Sequence, residues 1–298
     1  MIINRGNLIA LQTGFKANFQ RGFAGVKPTY QRITTTVPSS TAEEQYGWLG
    51  AMPKVREWIG PRVVKNIAEH GYVIRNKDYE LTIGVPRPKI EDDQYGIYAP
   101  LMEEMGRSVA SHPDDLVWDL LVRGFSVNCY DGQPFFDEDH PVIDPATGDA
   151  VSVSNVQTGS GAPWFLVDTS RALKPIIFQE RKKPEFVAKD NPDDERVFDR
   201  NEFVYGTYAR HNVGFGFWQM AFGSKAELTR NNFRAARQAM MSQSNDEGHK
   251  LGVKPNLLIV GPSNADKARD LFLADRLENG ASNTDRNLVE ILEVPLLD

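Results

Sequence analysis

Apolar residues between Ile97 and Phe125 recur at helical steps: Tyr98, Leu101, Met102, Met105 and Val109, then Leu116, Val117, Leu120, Leu121 and Phe125. Steps of three and four put them on one stripe of an α-helix. Pro100 suits a first turn, where its missing N–H costs nothing, and Gly124 stands where helices commonly stop. Pro113 removes a backbone bond from the middle. The pattern therefore predicts one long helix, or two nearly collinear ones, interrupted near residues 111–113. Asp114 and Asp115 suit the positive end of a restarted helix. At 1.5 Å per residue the rod is roughly 40 Å long.

Upstream, Leu8, Leu11, Phe15, Phe19 and Phe23 are spaced for a short amphipathic helix. The polar run TTTVPSSTAEEQ (34–45) reads as an extended arm that frays unless a partner surface holds it. Residues 46–60 place Trp48 and Trp58 among glycines and a proline, a turn-rich connection. In DYELTIGV (78–85), Tyr79, Leu81, Ile83 and Val85 alternate with Glu80, Thr82 and Gly84, a half-buried strand. With the preceding run it predicts a projecting hairpin about a polar turn at Arg75–Asp78.

Downstream, NCYDGQPFFDEDHPV (128–142) is a turn anchored by Phe135 and Phe136, and residues 144–163 read as a long loop. Strands are expected in WFLVD, KPIIFQ, EFVA, NEFVYGTYAR and GFGFWQMAF, with ERKKPE and KDNPDDER as charged turns. Residues 224–242 return to helical spacing, opened by a Ser224–Glu227 capping box. NLLIV (256–260), a helix capped by Ser263 and running to about Leu277, and LVEILEV (288–294) form a strand–helix–strand layer. The class is α+β.

Composition narrows the function. The 298 residues are 41% hydrophobic and 25% charged, as in a folded soluble chain. No run of 18 apolar residues exists, so no membrane span is expected, and the first residues do not read as a secretory signal. One cysteine, Cys129, excludes an internal disulfide and gives no zinc cluster, which fits a reducing compartment or assembly inside a cell. The net charge of −6 argues against a dedicated nucleic-acid binder, though not against a protein that surrounds nucleic acid without gripping it.

The best enzymatic candidate is the cluster Asp131, Asp137, Glu138, Asp139 and His140, whose carboxylates and imidazole suit a divalent cation or an acid/base pair. Asp-Glu-Asp-His-Pro is equally an ordinary turn, with Asp side chains bonding their own backbone. Gly261-Pro262-Ser263 opens a helix where an anion can sit, yet it lacks a phosphate-loop pattern, so helix capping is expected. Cys129 reads as a passive thiol and His112, beside Pro113, as a helix-break residue. No G-x-S-x-G occurs. The residues themselves offer a scaffold and no reaction centre.

Four stretches carry a resemblance: WLGAMPKVREWIGPRVVKNI (48–67), PKIEDDQYGIYAPLMEEMGRSVASHPDDLVWDLL (88–121), NCYDGQPFFDEDHPV (128–142), and the block from DTSRALKPIIFQERKKPEFV to EFVYGTYARHNVGFGFWQMAFGS (168–224). LTRNNFRAARQAMMSQ and VKPNLLIVGP extend it over nearly the whole chain. Together they resemble the Mu-like prophage major head subunit, the gpT family. The resemblance implies the tailed-phage major capsid (Hong Kong phage-type) fold. It implies an N-terminal arm (residues 1–50), an extended loop (51–90), a peripheral domain with spine helix and β block (91–223) and an axial-type α/β block (224–298). It further implies self-assembly through pentamers and hexamers into an icosahedral virion shell, assembled in host cytoplasm. That shell encloses double-stranded DNA without sequence-specific binding, and scaffold, head protease and portal proteins act as assembly partners. No catalytic, cofactor-binding or metal residues and no cofactors are implied. Two other readings stand beside it: an encapsulin-like nanocompartment shell, and a metal-dependent hydrolase using Asp137, Asp139 and His140.

Overall fold

The computed structural model describes residues 5–49, 71–92, 96–144, 146–191, 194–245, 248–277 and 279–298. Its elements in order are α1 (Arg5–Gly25), β1 (Thr34–Pro38), β2 (Glu43–Gln45), β3 (Val73–Arg75), β4 (Lys77–Pro86), α2 (Arg87–Glu91), α3 (Tyr98–Arg123), β5 (His140–Ile143), β6 (Ala150–Val153) and β7 (Val156–Gln157). There follow β8 (Trp164–Val167), β9 (Ile176–Lys189), α4 (Glu195–Arg200), β10 (Glu202–Phe215), β11 (Ala221–Ser224), α5 (Arg230–Met241), β12 (Leu257–Val260), α6 (Pro262–Phe272) and β13 (Glu290–Glu293).

Two sheets organise the described residues. One has four strands in the order β1-β9-β10-β4, the other five in the order β13-β12-β8-β11-β7. The run expected as one β block thus divides between them: β9 and β10 form the centre of the first sheet, and in the second β8 lies between β12 and β11. The five-stranded sheet takes strands from both sides of residue 224, so the expected boundary there does not fall between the sheets. It is buried through Trp164, Phe165, Leu166 and Val167 on β8 and all four residues of β12. A central strand covered on both faces reads as such a continuous apolar run.

The long helix is continuous through Pro113, not two segments. A proline in mid-helix loses one rung of the ladder, and packing on both sides of it outweighs that loss. Its buried face is Met102, Met105, Gly106 and Ala110, then Val117, Trp118, Leu120 and Leu121, while Leu101 is exposed. The first half joins a core with Leu8, Phe15 and Phe19 of α1 and Val85, Phe203 and Tyr205 of the four-stranded sheet. The second half joins the larger core that holds β8, β12 and the Phe135–Phe136 turn.

The stretch expected to fray, 34–45, is held in part by the chain itself, and the helix before it is longer than expected. Helix α1 runs 21 residues and lies on α3, where two glycines permit a close crossing. A Cβ on Gly22 would meet the Glu103 carbonyl and one on Gly106 the Phe19 carbonyl, neither with room for it. Residues 34–38, expected to be loose, pair in parallel with β9 from Thr34↔Ile176 to Pro38↔Glu180.

The hairpin expected about Arg75–Asp78 does not form. Strand β3 pairs with β2, and β4 continues onward to pair with β10 over ten residues, Lys77↔His211 to Pro86↔Glu202. The alternation of DYELTIGV is real, but its apolar side faces the chain's own α1 and α3 core, so it needs no neighbouring copy. The part of the expected extended loop at residues 51–70, with Trp58, lies outside the described residues.

Three further expectations shift. The charged ERKKPE continues strand β9, with Lys183 and Pro184 opposing Ala209 where the register slips. A proline, which has no N–H to donate, is tolerated at such a bulge. Helix α5 starts at Arg230 with Thr229 as its cap, its hydroxyl accepting the Asn232 N–H at 3.3 Å, so the Ser224–Glu227 box is not used. Helix α6 starts at Pro262 and stops at Phe272, short of Leu277, and the Asp298 carboxylate caps its start through the Ser263 N–H.

Candidate functional site

The turn at residues 128–142 folds on itself before it meets anything else. Cys129 N–H donates to the Gln133 carbonyl at 2.8 Å, and Gly132 takes φ +88, a left-handed conformation that glycine adopts without strain. Asp131 Oδ1 closes the loop by accepting the Gln133 N–H at 3.0 Å, and accepts the Cys129 thiol at 3.0 Å. Its other oxygen, Oδ2, faces His140 Nδ1 at 2.7 Å. The imidazole is fully buried and stacks flat on Trp218, centroids 3.9 Å apart with 5° between planes.

Asn155 completes the arrangement from the far side. Its amide nitrogen donates to the carbonyls of Phe135, Trp218 and Ala221 at 2.9, 3.3 and 3.3 Å, which fixes its orientation. Its oxygen therefore points the other way, accepting the Asp137 N–H at 2.9 Å and facing His140 Nε2 at 3.2 Å. Both ring nitrogens of His140 thus face acceptor oxygens.

The electrostatics follow from these contacts. Burial raises the Asp131 carboxyl, but hydrogen bonds from His140 and Cys129 outweigh it and hold the group below the ordinary carboxylate range. Burial, then the Asp131 charge, pushes the Cys129 thiol far above its ordinary value. A thiol kept protonated is neither a nucleophile nor a good metal ligand. The ligand atoms of Cys129, Asp131 and His140 lie within 4.8 Å of one another, a spacing a cation can use. Each is already committed: the thiol to Asp131, the carboxylate to three donors, the imidazole to Asp131 and Asn155. The arrangement does the work of a staple, tying the turn to the strand region around Trp218.

The expected acidic cluster therefore divides. Asp131 and His140 come together, whereas Glu138 and Asp139 are exposed. Asp137 Oδ1 accepts the Asp139 N–H at 3.0 Å, a local turn bond. Asp137, Asp139 and His140 do not converge on a common point, so the hydrolase geometry is absent among them. Sequence reasoning missed Asn155 altogether, since nothing local marks a residue 15 positions from His140. The Cys129–Asp131 contact was missed as well, although a Cys-x-Asp spacing in a turn marks it.

A second cluster lies where α3 crosses the four-stranded sheet. His211 of β10 is buried and stacks on Tyr79 at 4.6 Å, and His112 meets the same ring edge-on at 4.4 Å. They line a cavity of about 170 Å³ with Val109, Asp115 and Thr207. Neither Nε2 atom finds a hydrogen-bond partner among the described residues. Burial, reinforced by His112, lowers His211 to about 4, and burial lowers His112 as well. His112 is thus a packed ring facing the sheet, as well as a neighbour of Pro113.

No helix among the described residues is long and apolar enough to cross a membrane. Helix α6 offers no open anion position, because Asp298 of the same chain fills it.

Comparison with known proteins now identifies the fold. The chain is 44% identical over 292 residues to the major capsid protein of Escherichia phage Mu, covering 96% of this chain and 95% of that protein. It is 43% identical over 280 residues to the Mu-like prophage FluMu major head subunit of Haemophilus influenzae, covering 92% and 91%. Among solved structures, a subunit of the bacteriophage JBD30 procapsid matches with a TM-score of 0.87 and 48% identity over 99% of this chain and all of that one. A subunit of the bacteriophage JBD30 capsid matches at 0.79 and 36% over the full length of both. The fold is that of tailed-phage capsid proteins, with mixed helix and sheet. Residues 8–297 match the model of the Mu-like prophage major head subunit gpT, and the chain belongs to that family.

Proposed function

We propose that the chain is the structural head subunit of a Mu-like phage or prophage, many copies of which close into an icosahedral shell around double-stranded DNA. The end-to-end likeness to a procapsid subunit carries this reading. A shell tiled by one chain uses heterologous contacts that close into rings of five and six, and weak contacts repeated many times give it cohesion. The charge of −6 supports it, because a container that must release its genome should not hold DNA by counterion release. A non-enzymatic role is supported by Cys129, Asp131 and His140 being spent on one another. Scaffold, head protease and portal proteins are the assembly partners in this reading. In this reading residues 51–70 supply contacts between copies, α1, the front of α3 and the four-stranded sheet form the peripheral part, and the five-stranded sheet with α5 and α6 forms the axial part.

The test is assembly. Purified protein, alone or co-expressed with the other head proteins, should give closed shells in negative-stain images. Replacing residues 51–70 by a short Gly/Ser linker should leave a folded subunit, judged by cooperative unfolding, and remove shells from light scattering. The cut stops there because β4 belongs to the subunit's own sheet. Absence of shells under every condition overturns the reading; normal shells from the shortened chain overturn the loop assignment alone.

A further inference from the structure

The turn joining β9 to β10 carries a large apolar side chain in open solvent. Phe198, on α4, is 85% exposed, the highest value among the exposed large hydrophobics of the described residues. Its neighbour Val197 is buried in the core with Phe203 and Tyr205, so α4 is anchored and Phe198 projects from a fixed base. The Asn201 N–H bonds the Val197 carbonyl at 2.9 Å, with Asn201 itself left-handed at φ 51, and this closes the helix behind the ring. A fully wetted phenyl ring forgoes most of its burial free energy, so its place at a rigid tip points to a surface that covers it.

A receptor of matching character lies on the same molecule. Between α1 and β9 runs an open groove of about 620 Å³, walled by Lys16, Phe19, Gln20, Phe23, Pro184 and Val187. Phe23 and Val187 are themselves 40% and 49% exposed. The subunit's own tip does not fill this groove, since Phe198 stands in solvent. The charges are complementary. Residues 190–200 hold five acidic and two basic side chains, whereas α1 holds Arg5, Lys16 and Arg21 with no acidic residue. Arg21 also meets Glu103 of α3 at 3.6 Å, and Glu185 at the groove edge meets Lys182 at 3.1 Å, both at the surface.

We propose that the β9–β10 tip of one copy inserts Phe198 into the α1–β9 groove of an adjacent copy. Knob and groove are different patches of one surface, so the contact is heterologous and repeats from copy to copy, closing where the rotation closes. The aromatic ring supplies the buried anchor, and the acidic tip against the basic helix sets which way round the copies meet. The inference rests on the reading of the chain as a shell subunit and adds which surfaces touch.

Engineered cysteines test it in assembled shells. In a Cys129→Ser background, Phe198→Cys combined with Phe23→Cys should give, on mild oxidation, a ladder of covalent oligomers on non-reducing gels. Each single variant should give at most a dimer. Shells seen by electron microscopy that yield only monomer, or only an internal cross-link, overturn the contact while leaving the shell reading intact. Wild type that never forms shells removes both. A second measurement needs no cross-link. Phe198→Glu should keep the wild-type dichroism spectrum and lower shell yield at least tenfold, and so should Lys16→Glu. Joining Lys16→Glu with Asp199→Lys should recover most of the yield. Undiminished shells from Phe198→Glu overturn the proposal, as would another head protein, rather than a second copy, being captured at Phe198→Cys.

Discussion

The Asp114 carboxylate accepts the backbone N–H of Tyr30 at 2.6 Å, across 84 positions of sequence. The same group takes the Thr29 N–H and hydroxyl at 3.0 and 3.1 Å, and the Trp118 indole donates to that hydroxyl at 3.3 Å. The segment leading into β1 is thus pinned to the middle of the long helix. Asp114→Ala should destabilise the unassembled subunit by about 3 kcal/mol, since several donors lose one charged acceptor. Asp115→Ala, one position on and exposed, should cost under about 0.5 kcal/mol. Urea midpoints of the two variants make the comparison, and equal midpoints would contradict the pinning.

Glycines on the two crossing helices should respond with opposite signs. A methyl added at Gly14 would meet nothing within 4 Å among the described residues, so Gly14→Ala should stabilise by about 0.5–1 kcal/mol through helix propensity. Gly106→Ala places its methyl against the Phe19 carbonyl, which cannot move without displacing α1. A loss of about 2 kcal/mol or more is expected, as for other overpacked sites. Thermal unfolding of both variants decides it; two stabilised proteins would mean that α1 and α3 do not cross so closely.

Acid should weaken the subunit through His211. Its folded value is about 4, below the ordinary 6.5, because burial and then His112 disfavour its charge. The unfolded chain therefore takes up the proton first as pH falls. Stability is full above about pH 6.5 and is lost between there and pH 4, by about 2–3 kcal/mol. His112 acts in the same direction, while Tyr79, Glu80 and Asp115 are the other titratable groups lining the cavity. His211→Phe should flatten the difference between urea midpoints at pH 7.5 and 4.5. An unchanged slope would place the acid sensitivity elsewhere.

The staple in the 128–142 turn predicts an inert thiol. Cys129 in the native subunit should resist a maleimide and react once urea unfolds the chain. Cys129→Ser keeps a donor to Asp131 and should lie within about 1 kcal/mol of wild type. Asp131→Ala strands a buried imidazole and should cost about 3–5 kcal/mol by urea titration. Rapid native labelling, or a mild Asp131→Ala, would refute the arrangement.

Local periodicity made the elements legible, and partners were what it lacked. Leu8, Phe15 and Phe19 marked α1, and the stripe from Met102 to Leu121 marked α3, because a helix writes its buried face at fixed short spacing. LLIV and WFLV marked buried strands in the same way. The pairing of Thr34 with Ile176, or of Tyr79 with Ala209, is a contact across more than 100 positions and leaves no local trace. Charge misled at ERKKPE, where solvated side chains sit on a strand that pairs with β10 on both sides of a bulge. At the 128–142 turn, residue types were visible but orientation was not. Asp131 turned inward to His140, whose other ring nitrogen faces the distant amide of Asn155, and Asp139 turned outward.

The long helix belongs to two separate cores, through Met102 and Met105 at one end and through Val117 to Leu121 at the other. Between them Pro113 offers no N–H, so the Val109 carbonyl lacks the rung it would otherwise share. A bending load on the subunit concentrates at that missing rung. Curvature taken up there leaves both sets of buried side chains in place. In mechanical terms α3 is a rod with one soft rung between two stiff ends, laid beside strands β9 and β10 that also run from one core to the other.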